Sequence, residues 1–345
     1  MTEQLLISAM LAVPFAGWLF GLVMPDRRAF ATAISAALLC VSAVSWLACS
    51  HSGIIESSVR LSAGEWLAIS PENGLGVRLA FHANYSRCVL VLAASMILLL
   101  KIVGSTHSKG DSAARIALLY PLSVVTMLAS DLVVLAIVWG VIDCCLIGLV
   151  SDKSSAARSG KKNLNTTIIA CCSDALLLVA TLMAMARFGT SDIAEIVTRP
   201  AEDGRVDAAT VAAGLTVLFA AAVAMRCALF PALIWPRSCL KSGSRDAGIV
   251  VVLAGILPGF ALAVAVLPLA QVSSDAFLLL GTLGVLTCLT ATGVALVQND
   301  SARMVTLLSV SVAGLAASSL ATCLPGCGRV ATHTLLAQLS TIFVL

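Results

Sequence analysis

Within the long apolar runs of this 345-residue chain, four ionisable side chains are candidates for chemistry: Asp143, Asp174, Arg226 and His333. Charge in hydrocarbon is costly and marks an ion or proton pathway, unless it only fixes packing. Arg226 can pair across a bundle with Asp143, the preferred partner, or with Asp174. Such a pair serves either as part of a relay or as a static ion pair that holds helices together. His333 lies within a turn of the preceding loop, a place where a lone histidine is more often structural than catalytic.

Around Arg226 the sequence reads Met225-Arg226-Cys227-Ala228-Leu229-Phe230-Pro231-Ala232-Leu233-Ile234-Trp235-Pro236. Pro231 and Pro236 each remove a backbone donor and clash with the preceding turn, which predicts a helix break. In a membrane the freed carbonyls survive only where protein or a wet cavity covers them. A broken helix that carries a cation is therefore a candidate functional element. The plainer alternative is a proline kink with an arginine that snorkels to an interface.

Composition decides what these residues sit in. Of all residues 59% are hydrophobic and 11% charged, against about 25% charged in soluble domains, and the mean hydropathy is +1.02. The chain reads as an all-α polytopic membrane protein whose main partner is the lipid bilayer. Its net charge of +3 is spread over loops and does not suggest nucleic acid as a partner. Most of the twelve cysteines lie in apolar runs, where they act as small hydrophobes. No Cys-x-x-Cys pair or Cys/His cluster has metal or iron–sulfur spacing, so no cofactor is expected in this chain. Cys323 and Cys327, flanking Leu-Pro-Gly, could close a loop disulfide.

Runs long enough to cross a bilayer are 5–24, 30–48, 85–103, 116–130, 132–150, 166–186, 208–236, 249–269, 277–297, 304–324 and 330–345. That gives about eleven spans, with the seventh broken. The first run has its arginines, Arg27 and Arg28, after it rather than before it, so it reads as a retained span and not a signal peptide. One set of alternate loops carries thirteen Lys and Arg, the other set seven, and the remaining cation is Arg226. The positive-inside rule then places the N-terminus outside and Ser151–Asn163 in the cytoplasm. Of the two long external segments, 49–84 alternates like a small hairpin. In 187–207, Gly189-Thr190-Ser191-Asp192 offers a cap for a helix from Ile193. Residues 1–110 form one region, the N-terminal helices with the external loop 49–84, and residues 111–345 a helical core.

Several segments resemble the antiporter-like membrane subunit of proton-pumping NADH:quinone oxidoreductase, especially its fifth-subunit type, and its relatives in Mrp-type antiporters. Met127-Leu128-Ala129-Ser130-Asp131-Leu132-Val133-Val134-Leu135 with Trp139 resembles that family's approach to its fifth helix. Phe188-Gly189-Thr190 before 192–197 resembles the loop between its sixth and seventh helices. Ala228-Leu229-Phe230-Pro231 with Trp235 resembles its broken seventh helix. Gln298-Asn299-Asp300-Ser301-Ala302-Arg303 with Leu307-Leu308-Ser309 resembles the entry to its tenth, and Thr332-His333 its eleventh-helix histidine motif. The matches keep their order over nearly the whole chain and imply an antiporter-like fold.

The departures bear on function. Where the family has Trp-Glu in its fifth helix, Trp139 is followed by Gly140; its broken-helix lysine is Arg226, its eighth-helix histidine Val251, and the lysine after His333 is Ala337. Asp174 matches an acidic position, but its family arginine neighbour is Cys171, and Ser242-Gly243-Ser244-Arg245-Asp246 replaces a Thr-Pro-rich approach. Arginine keeps its proton where lysine can hand one on, so most of a relay is missing, with Asp143 partly restoring an acid three residues beyond Gly140. The resemblance implies a divergent subunit of a complex I-like assembly in a bacterial inner membrane, either shortened or a fragment, with other membrane subunits as partners. NADH, flavin, iron–sulfur and quinone chemistry would belong to those partners, leaving an accessory subunit without a redox centre of its own. The alternatives are a non-conducting structural or assembly subunit, and an independent cation/proton carrier using Asp143, Asp174 and Arg226.

Overall fold

The computed structural model describes residues 2–52, 58–70, 75–104, 111–151, 160–203, 206–233, 235–236, 239, 246–271, 274–322 and 326–344. Twelve helices and one hairpin make up these residues: α1 (Thr2–Val23), α2 (Arg28–His51), β1 (Ser58–Ser70), β2 (Leu75–Asn84), α3 (Tyr85–Gly104), α4 (Asp111–Leu128), α5 (Leu132–Ser151), α6 (Gly160–Phe188), α7 (Ile193–Asp203), α8 (Val206–Arg226), α9 (Ala247–Ala270), α10 (Asp275–Leu296), α11 (Ser301–Leu320) and α12 (Cys327–Val344). Each of the eleven apolar runs overlaps a helix. Among the described residues eight of these helices are long and apolar enough to cross a membrane, fewer than the eleven expected spans, and α12 in the run 330–345 is not among them. Helices α4 and α8 contain shorter apolar stretches, Ala114–Leu128 and Thr210–Arg226. The protein is an integral membrane protein with many apolar helices.

Its core is α9, whose most apolar window is 89% buried, against 28% for α1 and 33% for α6 and α10. Helices α3, α4, α5, α7, α8, α10 and α11 pack on α9, which is apolar all round, while the outer faces of the bundle keep exposed Leu, Val and Phe for lipid. Within α9 the helix widens to a π turn over Val252–Ile256. The extra residue disturbs the backbone ladder, and neighbours meet its carbonyls. Ser123 on α4 donates to Leu253 O at 2.5 Å, and the Cys227 thiol approaches Ile256 O at 3.7 Å. Helices α10 and α11 touch backbone to backbone. A Cβ on Gly284 would lie 2.6 Å from Gly314 O, and one on Gly314 2.5 Å from Gly284 O, the close approach that small residues allow in membranes.

One end of the bundle is closed by polar contacts. The β1–β2 hairpin is antiparallel, with Arg60 opposite His82, and Phe81 bridges to Ala129 in the turn between α4 and α5. Arg87, buried, donates to the carbonyls of His82, Leu128 and Ala129 at 3.2, 3.1 and 2.8 Å. A cation on the last carbonyls of α4 answers that helix's dipole. Asp131 caps α5 through Val133 N and Val134 N, and its other oxygen accepts from Ser191 at 2.5 Å. Asp192 in turn caps α7 through Ala194 N and pairs with Arg60 at 3.2 Å. Both the hairpin and the capped helix thus stand where the sequence suggests them. Burial, then the Arg87 and Arg60 charges, push His82 down to about 4.

The seventh span differs from its reading as a run to Pro236. Helix α8 stops at Arg226, and 227–233 is a chain of turns. Leu229 N bonds to Ala224 O and Ala228 N to Met225 O, with Ala228 at φ 58°. This is a Schellman ending with alanine at the left-handed position that glycine usually takes. The backbone therefore turns three residues before Pro231, and the proline keeps the helix from resuming. Cys323, and with it the expected loop disulfide to Cys327, lies outside the described residues, as do 152–159 of the charged loop.

Candidate functional site

Trp139 and Asp143 lie four apart on α5 and so share a face; Asp174 and Ser173 come from α6, and α8 delivers Arg226 as its last residue. Arg226 Nη1 is 2.5 Å from Asp143 Oδ1 and 3.6 Å from Asp174 Oδ1. Its Nη2 reaches Trp139 O at 3.5 Å, and the guanidinium stacks over the Trp139 ring at 4.7 Å. One guanidinium therefore faces both carboxylates. Arg226 and Asp143 are almost wholly enclosed, with side chains 4% and 7% exposed, whereas Asp174 keeps 21%. The helix end adds to the hold on the cation, because the last turn of α8 presents its carbonyl dipoles there.

Beyond Arg226 the broken segment is tied down on three sides. Phe230 N donates to Thr287 Oγ1 on α10 at 2.7 Å, and Trp235 folds back so that Nε1 donates to Met225 O at 3.2 Å. Gly255 of α9 is the third contact. A Cβ there would meet Arg226 O and Trp235 Cζ2, each at 2.7 Å. Pro231 is exposed and Pro236 buried.

A small cavity of about 10 Å³ adjoins the charges, lined by Asp143, Thr166, Ser173, Met225, Arg226 and Trp235, with apolar residues of α5, α6 and α9. That is about the room one water occupies. Asp143 Oδ2, Thr166 Oγ1, Asp174 Oδ1 and Arg226 Nε are buried without a hydrogen-bond partner among the described residues. The site can hold charge and a proton donor or acceptor at the cavity, yet Arg226 itself cannot give up a proton.

His333 stands elsewhere. It is exposed on α12, its Nε2 lies 3.0 Å from the Tyr85 hydroxyl, and Arg329 stacks over the same tyrosine at 5.1 Å. Sequence reasoning thus named the three charges that meet and one that does not join them. It missed Thr166 and Ser173, although Thr166, Ile169, Ala170 and Ser173 repeat at helical spacing on one face of α6. It also missed Lys101, which pairs with Asp246 at 2.7 Å and ties the end of α3 to the start of α9. Among the described residues no group of three or more His, Cys, Asp or Glu could hold a metal ion.

Chains of three solved complexes share this fold. In the Mrp complex from Dietzia sp. DQ12-45-1b, one chain aligns with 99% of this one at 20% identity and a TM-score of 0.73. In the membrane-bound sulfane sulfur reductase, an archaeal respiratory membrane complex, the values are 97%, 17% and 0.75. In respiratory complex I from Thermus thermophilus with bound NADH they are 98%, 18% and 0.65. The present chain spans 37%, 55% and 70% of those chains in turn. No curated protein matches the sequence. The profile of the family described as NADH:quinone oxidoreductase/Mrp antiporter, TM, matches residues 129–344. With more than half of its length matched, from the turn before α5 to the end of α12, the chain belongs to that family of antiporter-like membrane proteins.

Proposed function

We propose that the chain is a divergent membrane subunit of a complex I-like or related proton- or cation-translocating respiratory assembly, in which the Asp143–Arg226–Asp174 cluster is a degenerate relay. Residues 111–345 form its antiporter-like core, and residues 1–110 the helices and external loop packed beside it. The observation that carries this reading is one arginine facing both carboxylates at the end of the broken helix. A relay needs groups that bind and release protons in turn. Arg226 keeps its proton, and Gly140 supplies no acid. Its charge anchors the acids and the helix break, which suits a subunit kept for structure or long-range electrostatics. NADH, quinone and redox centres are assigned to partner subunits, and the N-terminus to the outside of a bacterial inner membrane.

Reconstitution tests the relay. The purified chain in liposomes is expected to show no uncoupler-sensitive Na⁺/H⁺ or K⁺/H⁺ exchange above empty vesicles. Asp143→Asn should then leave that baseline unchanged. Robust exchange that Asp143→Asn abolishes would overturn the reading and favour an independent carrier. Purification from native membrane tests the assembly: other membrane subunits should co-migrate with the chain.

A further inference from the structure

Two aspartates against one arginine leave a charge to be accounted for. Asp143 and Asp174 both face Nη1 of Arg226, at 2.5 and 3.6 Å, and they do so from two membrane-crossing helices. Fully ionised, the cluster carries one uncompensated negative charge among apolar neighbours, which is costly. The two carboxyl groups also lie within hydrogen-bond reach of each other. An ionised carboxylate only accepts. Their contact is therefore repulsive while both are charged and becomes a bond once one of them holds a proton. Asp143 Oδ2 and Asp174 Oδ1 are the oxygens buried without a partner among the described residues.

The cavity beside the cluster favours a proton over any larger cation. It has room for about one water, and the fixed charge of Arg226 in its wall repels a metal ion. Thr166, 2% exposed, lines the same cavity with its hydroxyl unpartnered among the described residues, and a hydroxyl can donate to a carboxyl pair or accept from it. Among the described residues no further Asp, Glu, Lys, Arg or His lines the cavity. Helix α9, which closes it through Ala254, has no ionisable residue over 247–270, and Arg115 of α4 lies against Gly148, further along α5. We propose that Asp143 and Asp174 share a single proton, so that with Arg226 they make a neutral triad and a binding site for one proton. The proposal rests on the reading of this cluster as the remnant of a relay: the arginine balances one carboxylate permanently and the proton balances the other. That proton belongs to the pair and not to either residue, and no third titratable side chain lines the cavity to take it onward.

Infrared difference spectroscopy of the full chain tests this, on protein purified from its membrane with whatever subunits accompany it and returned to lipid. A protonated carboxyl group absorbs apart from ionised carboxylates and from amide bonds, and isotope-labelled aspartate moves its band. Native protein minus Asp143→Asn, and native minus Asp174→Asn, should each show the same band at neutral pH, equivalent to about one protonated aspartate per chain. Either variant leaves one carboxylate, which Arg226 balances without a proton. Arg226→Lys keeps the cation and should keep the band. Asp143→Glu and Asp174→Glu keep both acids and should move the band without removing it, so the assignment survives an asparagine variant that fails to fold. Absence of a protonated aspartate band in the native protein overturns the proposal. So does a band that only one of the two asparagine substitutions removes, since that carboxyl would be held neutral by burial alone. A band bleached by sodium or potassium at constant pH puts a metal cation in the cavity and overturns it as well. The liposome exchange assay separates the two readings. Exchange with the band intact removes the degenerate relay and leaves the shared proton, whereas no exchange and no band removes the shared proton alone.

Discussion

Arg226 is held by two carboxylates, an aromatic face and a helix end, and each contributes differently when it is removed. Arg226→Met leaves Asp143 and Asp174 buried without a cation, and should cost about 3–5 kcal/mol of stability. Arg226→Lys keeps the charge as a point and loses the stacking on Trp139, which should cost about 1–2 kcal/mol. Adding Asp143→Leu to Arg226→Met should recover part of the first loss, with a coupling of about 0.5–3 kcal/mol. Thermal unfolding in detergent measures all three, and failure of both this double variant and its Asp174 counterpart to recover stability would remove the energetic argument for pairing. His82 answers to pH instead. Its folded pKa of about 4 lies below the ordinary 6.5, so between those values the unfolded chain binds more protons. Stability from neutral His82 is present above pH 6.5 and is lost as pH falls towards 4. His82→Asn should flatten that slope, as read from melting temperatures across the window.

At the scale of elements, the broken helix depends on its neighbours more than on its own sequence. Gly255→Ala would press a methyl group against Arg226 O and Trp235, and backbone on one side cannot yield as a side chain would. A loss of about 1–3 kcal/mol is expected. Thr287→Val keeps the shape but strands Phe230 N, which should cost about 1–3 kcal/mol; a melting point unchanged by both substitutions would show that the segment is not anchored there. The helices, the hairpin and the α7 cap were legible because apolar length, alternation and Asx capping are local signals. The three meeting charges were legible because ionisable residues stand out in apolar runs. The early end of α8 was not, since the prolines draw the eye to 231 and 236 while the turn is made at Ala228, whose left-handed φ has no composition signal. The π turn in α9 was equally silent: its carbonyls are met by Ser123 and Cys227 from distant parts of the chain.

For the whole molecule, cations mark both ends of α3. Arg60, Arg87 and Arg329 gather with the hairpin, the α4–α5 turn and the start of α12, while Lys101 pairs with Asp246 at the start of α9. If the positive-inside bias sets orientation, Ser159→Cys should resist impermeant thiol reagents in intact cells once labelling of the native cysteines is subtracted, and ready labelling would invert the topology. The backbone contact between α10 and α11 has a mechanical side. Two helices in van der Waals contact through Gly284 and Gly314 cannot slide past each other without lifting apart, so they respond to load as one plank. Phe230 is bonded to that plank through Thr287. A displacement of the chain just beyond Arg226 therefore pulls, through Phe230 and Thr287, on two helices at once.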